Sequence, residues 1–351
     1  MRILFVKLSS IGDVIHTLPA LSAVKRALPE SEISWVVEKK SAEILRNNPL
    51  VSRLIEVDTK TLRRGNVLGK TLQTAKTQLR ELRASEFDLT IDFQGLLKSA
   101  SIAKLVKTKQ RYGFSKRNLR EPTSRILMSA SIEVEPIQNI IFKNIELAEG
   151  ALRKFLADEE FTLERENIEF SISTDGAHRK EARKIVKEAG KKFAILNPAG
   201  GWVTKLWHAE KFGQLADLLW EEMGLTSVIS TAPGEKDLAH KALANSSSGK
   251  TIIAQPSLKG FYELTKRASI YVGGDTAPSH LAIAANCPTV GIFGPTEWWR
   301  NGSVDPEDIC VERNDIDCRT DCHRRTCNKW ICMDIPVETV FEAVRERLRL
   351  V

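Results

Sequence analysis

Four loops of the chain carry polar residues that could act on a ligand, and each follows an apolar run. The first loop, from Ser9 to Asp13, ends in a carboxylate directly before a helical pattern. Gly12 would allow a tight turn, and an aspartate at or near the helix N-cap would be exposed at the carboxyl end of the preceding strand. Asp13 is therefore interpreted either as a helix cap or as a catalytic residue. The loop does not match G-x-G-x-x-G, so a dinucleotide cofactor is not indicated.

The three other loops lie in the second half of the chain, and two of them suit a bound diphosphate. NPAGGWVTKLW and YVGGDTAPSHLA place glycines and polar residues where a strand gives way to a helix, and backbone amides there bind phosphate groups. STAPGEKD adds a carboxylate at another helix start. The alternatives are a flexible loop with a solvated lysine, a carboxylate that stabilises the helix dipole, and a structural histidine. The candidate residues are Gly200, Gly201, Thr204, Lys205, Glu235, Gly273, Gly274, Asp275, Thr276 and His280.

Basic side chains in the first half could serve a negatively charged ligand. They are Arg63, Arg64, Lys98, Arg111 and Arg120. Single surface cations are usually only solvated, but the net charge of +7 indicates a protein that attracts anions. Phosphorylated ligands, anionic lipid head groups and nucleic acid all remain possible on charge alone.

Four cysteines crowd into the late segment CRTDCHRRTCNKWIC, with the spacing C-x3-C-x4-C-x4-C. In a reducing compartment such a cluster favours a metal over disulfides, and four thiolates can close a tetrahedral Zn or Fe site. We therefore predict a structural metal at Cys318, Cys322, Cys327 and Cys332. Reduced thiols or a labile disulfide are the alternatives.

The elements that must position these loops alternate between strands and helices. Runs such as RILFVKL, ISWVV, RLIEV and FDLTIDF are rich in β-branched residues, and segments with helical periodicity separate them. This alternation predicts parallel sheets covered by helices on both faces. The pattern breaks at about residues 170 to 178 and then restarts. We predict an α/β protein with domains at 1–172 and 173–335, a Cys-rich loop at 310–332 within the second domain, and a helix at 336–351.

Length and hydropathy agree with a globular protein of two domains. At 351 residues the chain exceeds the size that one hydrophobic core usually supports, and 42% of its residues are hydrophobic. No stretch approaches the roughly 18 apolar residues of a membrane span, and the start lacks the long apolar region of a signal peptide. A cytoplasmic location is therefore expected.

Several motifs together resemble the ADP-heptose:lipopolysaccharide heptosyltransferases. They are MRILFVKLSSIGDVIHTLPAL at the start, WVVE at 35–38, DFQGLLKSA at 92–100, REP at 120–122, TKLW at 204–207 and GGDTAPSHLA at 273–282. The resemblance extends from residue 1 to about residue 296, and it is nearest to the heptosyltransferase I branch. Ala277 stands where that branch carries glycine.

The resemblance implies a GT-B architecture, in which two Rossmann-like domains with parallel sheets face each other across a cleft. It also implies an inverting transfer without a catalytic metal, with ADP-L-glycero-D-manno-heptose as the donor and Asp13 as the base that deprotonates the acceptor. Donor contacts would come from Gly200, Gly201, Thr204, Lys205, Glu235, Asp275, Thr276 and His280. Contacts to an anionic, lipid-linked Kdo-lipid A acceptor would come from Lys7, Arg63, Arg64, Lys98 and Arg120.

The acceptor and the class of protein leave alternatives. The implied partners are a nucleotide sugar and the cytoplasmic face of the inner membrane, reached by transient contact, and not nucleic acid. The Cys-rich loop is similar to that of relatives that modify autotransporter proteins and carry an iron-bound finger, so a protein or another glycan is a second possible acceptor. A sugar-nucleotide epimerase with the same architecture is another hypothesis. The last is a metal-binding interaction or redox module with an inactive nucleotide cleft.

Overall fold

The computed structural model describes residues 1–58, 80, 82–319, 322 and 324–349. The chain divides into two compact units, Met1–Ser173 and Thr174–Val351. Within the described residues, no helix is both long enough and apolar enough to cross a membrane.

The first unit contains a parallel sheet that has six strands within the described residues. Its strands are β1 (Arg2–Val6), β2 (Glu32–Glu38), β3 (Arg53–Val57), β4 (Glu86–Asp92), β5 (Lys107–Phe114) and β6 (Ala130–Ile132). Its described helices are α1 (Ile11–Ile15), α2 (Leu18–Ala27), α3 (Leu97–Leu105) and α4 (Ile140–Leu156), with short 3-10 turns at Ala42–Ile44, Lys116–Asn118 and Pro122–Leu127.

The buried runs explain why these segments form the first sheet. The last four residues of β1 are fully buried, as expected for a central strand that is covered on both faces. Residues 14–28, which read as one helical pattern, form parts of two helices, because α1 ends at Ile15 and α2 begins at Leu18 with a proline in its first turn. Residues 68–84, LGKTLQTAKTQLRELRA, also have helical periodicity, but they lie almost entirely outside the described residues.

The second unit repeats this plan with a second parallel sheet, again six-stranded as far as the chain is described. Its strands are β7 (Phe193–Asn197), β8 (Thr226–Ser230), β9 (Thr251–Ala254), β10 (Ile270–Gly274), β11 (Thr289–Phe293) and β12 (Ile309–Glu312). Its described helices are α5 (Gly176–Ala189), α6 (Ala209–Met223), α7 (Lys236–Leu243), α8 (Leu258–Thr265), α9 (Ala277–Ala284), α10 (Trp298–Asn301) and α11 (Val337–Arg349), with 3-10 turns at Val203–Lys205, Pro233–Glu235 and Ile331–Met333.

The last helix, α11, completes the core of the second unit. Val340, Phe341 and Val344 are buried in the same apolar cluster as the central strands. At its end the buried guanidinium of Arg347 donates to Asp308 Oδ1 at 2.9 Å and lies 3.3 Å from a carboxylate oxygen of Glu307. Apolar packing and this ion-pair cluster together hold α11 on the sheet.

Both sheets have the strand order of a Rossmann-type fold. The first runs β3-β2-β1-β4-β5-β6, and the second runs β12-β11-β10-β7-β8-β9, which is the same order seen from the opposite side. The order reverses between β1 and β4 in the first unit and between β7 and β10 in the second. Open α/β sheets bind ligands outside the carboxyl ends of the strands at such a switch point. Each unit therefore offers one crevice where a site is expected.

Candidate functional site

Asp13 lies at the switch point of the first unit, in the third position of α1. Ser10 is the N-cap, and the Asp13 Oδ2 atom accepts hydrogen bonds from Ser10 N at 2.7 Å and from Ser10 Oγ at 2.8 Å. The carboxylate thus closes a capping box with Ser10 instead of being the cap itself. Gly12 is a buried residue inside α1 and does not form a separate tight turn. The Asp13 side chain remains 40% exposed.

The surroundings of Asp13 keep its carboxylate ionised. Partial removal from water would raise its pKa, but the Lys7 ammonium and the hydrogen bonds from Ser10 outweigh that effect and lower it. Lys7 Nζ lies 3.7 Å from Asp13 Oδ1 and donates to the Phe93 carbonyl at 2.9 Å. The result is a carboxylate that is charged at neutral pH, exposed on one side and fixed on the other. Such a group can accept a proton from a bound hydroxyl.

Gln94, on the other side of the same switch point, was not among the predicted site residues. Its Oε1 atom accepts hydrogen bonds from the backbone N–H groups of Leu8 at 3.0 Å and Ser9 at 3.1 Å. The loop after β4 therefore holds the loop that leads from β1 to Asp13. A signal for it was present in the sequence, because DFQG places polar residues directly after a buried strand.

Asp92 is almost fully buried, and its carboxylate holds the backbone of Gln94. Its Oδ1 atom accepts from the backbone N–H of Gln94 at 2.9 Å and of Gly95 at 3.3 Å, and its Oδ2 atom accepts from Ser99 Oγ at 2.9 Å. Burial raises the pKa of Asp92 to about 6, because these neutral donors and the more distant Lys7 offset only part of the lost hydration. Asp92 is not among the predicted site residues, although the motif DFQGLLKSA begins with it.

The predicted acceptor cations differ in their surroundings. Lys7 is 3% exposed and lies beside Asp13, so its positive charge mainly stabilises the Asp13 carboxylate. Lys98 donates to Glu38 Oε1 at 2.8 Å, which neutralises much of its charge. Arg120 is exposed in the segment after β5, at the carboxyl edge of the sheet. Arg63 and Arg64 lie outside the described residues.

The switch point of the second unit brings Lys205, Asp275 and His280 together. Lys205 Nζ lies 2.6 Å from Asp275 Oδ2, and His280 Nε2 lies 3.3 Å from Asp275 Oδ1. Burial alone would raise the pKa of Asp275, but the His280 hydrogen bond and the positive charge of Lys205 hold it well below its usual range. The loop after β7 and the loop after β10 are therefore joined by a buried ion pair.

The glycines around this ion pair allow the loops to approach closely. A Cβ atom on Gly274 would lie 3.0 Å from the Lys205 carbonyl oxygen, and one on Gly200 would lie 3.0 Å from a methyl carbon of Leu206. A Cβ atom on Gly201 would have no neighbour within 4 Å, so that side of the loop is open. Backbone at an open glycine can approach a ligand directly.

The remaining predicted donor residues bond mainly within the protein. Thr204 is buried, and its Oγ1 atom donates to the Arg324 carbonyl at 2.6 Å. Glu235 Oε2 accepts from Ala232 N at 3.1 Å and so closes the turn before α7. Thr276 is the N-cap residue of α9, and its backbone carbonyl accepts from His280 N at 3.3 Å. The amino end of α9 therefore lies directly after Asp275, the residue that pairs with Lys205.

The Cys-rich segment places its thiols near one another. Burial and the charges of the neighbouring Cys322 and Cys318 raise the pKa of Cys332, whereas backbone N–H groups of Trp330 and Lys329 lower the pKa of Cys327. Among the residues described, no three His, Cys, Asp or Glu side chains are placed to hold a metal ion. As placed, the described residues do not fit a bound Zn or Fe, and the structural metal stays a prediction.

Comparisons with known proteins identify the family. Residues 77–331 match the family described as glycosyltransferase family 9 (heptosyltransferase). The chain is 30% identical to lipopolysaccharide heptosyltransferase 1 of Pseudomonas aeruginosa over 329 residues, which cover 93% of this chain and 87% of that protein.

Two solved structures of one enzyme are also similar. The E. coli heptosyltransferase WaaC with ADP has a TM-score of 0.75 at 26% identity, covering 88% of this chain and 92% of that one. The same enzyme with ADP-2-deoxy-2-fluoro heptose has a TM-score of 0.72 at 26% identity, covering 89% and 93%. The predicted GT-B fold with two Rossmann-like domains is confirmed, and the chain belongs to glycosyltransferase family 9, the heptosyltransferases.

Proposed function

We propose that the protein transfers L-glycero-D-manno-heptose from ADP-heptose to the Kdo-lipid A inner core, with inversion at the anomeric carbon. The observation that carries this proposal is the exposed, ionised Asp13 carboxylate at the switch point of the first unit. Two solved structures of one E. coli relative hold ADP and ADP-2-deoxy-2-fluoro heptose, and the relative from Pseudomonas is a lipopolysaccharide heptosyltransferase, which supports both the donor and the acceptor class.

In this proposal the two units have different tasks. Residues 1–172 bind the acceptor through Lys7, Arg63, Arg64, Lys98 and Arg120, and residues 173–335 bind the nucleotide sugar. Contacts to the donor come from Gly200, Gly201, Thr204, Lys205, Glu235, Asp275, Thr276 and His280. Because the Thr204 hydroxyl and the Glu235 carboxylate already bond within the protein, these two residues would contribute mainly by shaping their loops.

The proposed reaction is a single displacement. Asp13 takes the proton of the acceptor hydroxyl as its oxygen forms a bond to the anomeric carbon, and the electron pair of the broken C–O bond leaves with the diphosphate of ADP. Lys205 and the amino end of α9 stabilise that departing charge, without a catalytic metal. Asp275 holds Lys205 and His280 in place for this task.

A transfer assay tests the proposal. Purified protein is mixed with ADP-heptose and Kdo-lipid A, and mass spectrometry follows the acceptor. We expect a gain of one heptose, with the opposite anomeric configuration to the donor. No gain with Kdo-lipid A but a gain on a protein acceptor would move the function to the alternative acceptor, and no turnover of ADP-heptose with any acceptor would refute the proposed donor.

Location and metal content are separate proposals. We infer transient contact with anionic lipid at the cytoplasmic membrane face, because the net charge is +7 and the proposed acceptor is lipid-linked. Sedimentation with phosphatidylglycerol vesicles at low and high salt tests this contact. For Cys318, Cys322, Cys327 and Cys332, elemental analysis of anaerobically purified protein tests the structural metal, and a content well below one Zn or Fe per chain refutes it.

A further inference from the structure

The Cys-rich segment has no task in the proposed reaction, yet it packs against the loop that holds Lys205. Trp330 Nε1 donates to the Thr204 carbonyl at 3.2 Å, and Thr204 Oγ1 donates to the Arg324 carbonyl at 2.6 Å. The rings of His208 and Trp330 lie 5.0 Å apart between centroids. The segment is thus fixed to the donor loop through both the backbone and the side chain of one threonine.

Arg325 is the residue that these contacts bring to the donor loop. Its guanidinium lies 5.0 Å from the centroid of the Trp202 ring, and Lys205 Nζ lies 4.4 Å from the centroid of the same ring. Cations bind the faces of indole rings at such distances. The Trp202 ring therefore contacts two cations, of which Lys205 is mostly buried and Arg325 is exposed.

The charges at this place suggest what the second cation does. Lys205 is paired with Asp275 at 2.6 Å, so part of its positive charge is already balanced when a diphosphate, which carries several negative charges, binds there. A guanidinium presents planar N–H groups that match phosphate oxygens in a bidentate geometry. Arg325 is a cation of this kind, next to the lysine and directed there by the Arg324 backbone.

We propose that Arg325 binds the diphosphate of the nucleotide-sugar donor, held beside Lys205 by the hydrogen bonds that join Thr204 to Arg324 and Trp330. The inference rests on the proposed ADP-sugar donor. It gives the Cys-rich segment a task, which is to present a cation to the donor site. Thr204 then acts as a positioning residue, because its hydroxyl fixes the backbone next to Arg325.

Ligand binding by the full chain tests this assignment. Isothermal titration measures the Kd of ADP and of adenosine, which lacks the phosphates. Arg325→Gln should weaken ADP about 10-fold to 30-fold and leave adenosine unchanged, because only the diphosphate meets the guanidinium. Arg324→Gln is the matched control, one residue away with an equally exposed side chain, and should change the ADP Kd less than about threefold.

A second pair of variants tests the positioning by Thr204. Thr204→Val keeps the shape but removes the bond to Arg324, so it should weaken ADP by nearly as much as Arg325→Gln, and Thr204→Ser should restore most of the affinity. The double variant Thr204→Val/Arg325→Gln should bind ADP no more weakly than Arg325→Gln alone, because both changes remove one interaction. Fully additive losses would contradict a shared role.

The outcomes separate this inference from the proposed function. If the unaltered protein does not bind ADP, the donor proposal fails and the inference fails with it. If it binds ADP and Arg325→Gln binds ADP equally well, only the inference is overturned. Equal losses in Arg324→Gln and Arg325→Gln would indicate a general charge effect and would also overturn the assignment to Arg325.

Discussion

Asp92 and Asp275 lie at comparable places in the two units, since Asp92 is the last residue of β4 and Asp275 directly follows β10, each at the switch point of its sheet. They are 2% and 8% exposed, yet their pKa values move in opposite directions. Asp92 is bonded mainly to neutral N–H and O–H groups, whereas Asp275 has a lysine at 2.6 Å and a histidine at 3.3 Å. Burial depth therefore does not decide the direction in which the pKa moves, and the partners do.

The difference shows how one topology serves two kinds of chemistry. In the first unit the buried Asp92 has mainly neutral hydrogen-bond partners. The exposed carboxylate of that unit is Asp13, which lies 3.7 Å from Lys7 Nζ. In the second unit the carboxylate is buried, and its partners are a lysine and a histidine. The first arrangement suits removal of a proton, and the second suits an anionic group. The following changes test the comparison, from the largest expected effect to the smallest.

Removal of the Asp13 charge should have the largest effect. Asp13→Asn should lower kcat about 10³-fold, or about 4 kcal/mol of barrier, because the amide cannot accept the acceptor proton. The Kd of ADP should stay unchanged. Asp158→Asn, an exposed aspartate beyond the end of α4, is the control and should keep full activity. A large loss of ADP affinity in Asp13→Asn would instead assign this residue to nucleotide binding or folding.

Breaking the Lys205–Asp275 ion pair should reduce the free energy of unfolding of the second unit as well as its affinity for ADP. Lys205→Met leaves Asp275 buried without its lysine and should lower the free energy of unfolding of this unit by about 3 kcal/mol. Hydrogen exchange of the second unit measures the change. The double variant Lys205→Met/Asp275→Asn should recover most of the stability but not the ADP affinity. Lys241→Met removes an exposed pair with Glu210 and should cost less than about 1 kcal/mol.

The contribution of Asp92 to the free energy of unfolding should depend on pH in the opposite direction to that of an ordinary paired aspartate. Its folded pKa of about 6 lies above the usual 3.8, so the folded protein binds this proton more readily, and the contribution of Asp92 to stability falls as the pH rises from about 4 to 6. Asp92→Asn should therefore raise the free energy of unfolding by about 2 kcal/mol at pH 7.5 and change it little at pH 4.

Asp88 on the same strand provides the control for that measurement. A backbone hydrogen bond from Arg2 and the side chain of Lys109 lower its pKa, so its contribution is present above the usual pKa and is lost as the pH falls. Asp88→Asn should slightly reduce stability at pH 7.5. If both variants shift stability in the same direction at neutral pH, the contrast between neutral and charged partners is wrong.

Loss of the Gln94 acceptor should have the smallest effect on the reaction. Gln94→Met removes the oxygen that holds Leu8 N and Ser9 N, so Asp13 should be less well placed and kcat should fall about 10-fold, with little change in the KM of ADP-heptose. Gln110→Met, on an exposed face of β5, should leave both constants unchanged. A change in KM alone would show that the loop serves donor binding.

The fold could be predicted from the sequence because its signals are local. Buried β-branched runs such as RILFV and FDLTID show the strands directly, and their alternation with helical segments gives parallel sheets. The switch points could not be predicted in the same way. The bond from Leu8 N to Gln94 joins residues 86 positions apart, and the Lys205–Asp275 pair joins residues 70 positions apart. Such contacts depend on strand order and on register, which no local pattern contains.

The same dependence on distant contacts explains why local patterns indicate some residues of the candidate site and miss others. Lys205 and Asp275 are predicted site residues because each lies in a strand-to-helix loop, and His280 because it lies one turn into the helix that follows Asp275; the structure brings the three together. The hydroxyl of Thr204 was expected to face the donor, but it bonds to Arg324, 120 positions later. Asp92 and Gln94 were overlooked because their role depends on the neighbouring loop and not on their own spacing.

The place of α11 bears on the order in which the chain can fold during synthesis. The first unit has all of its strands by residue 132 and its last described helix by Leu156, so it can form while the ribosome is still extending the rest. The second unit lacks Val340, Phe341, Val344 and the Arg347 cluster until its final helix emerges. The part of its apolar core that α11 covers stays open until then, so a ribosome that stalls before α11 would leave a folded first unit attached to an incompletely covered second unit, which chaperones and proteases would recognise.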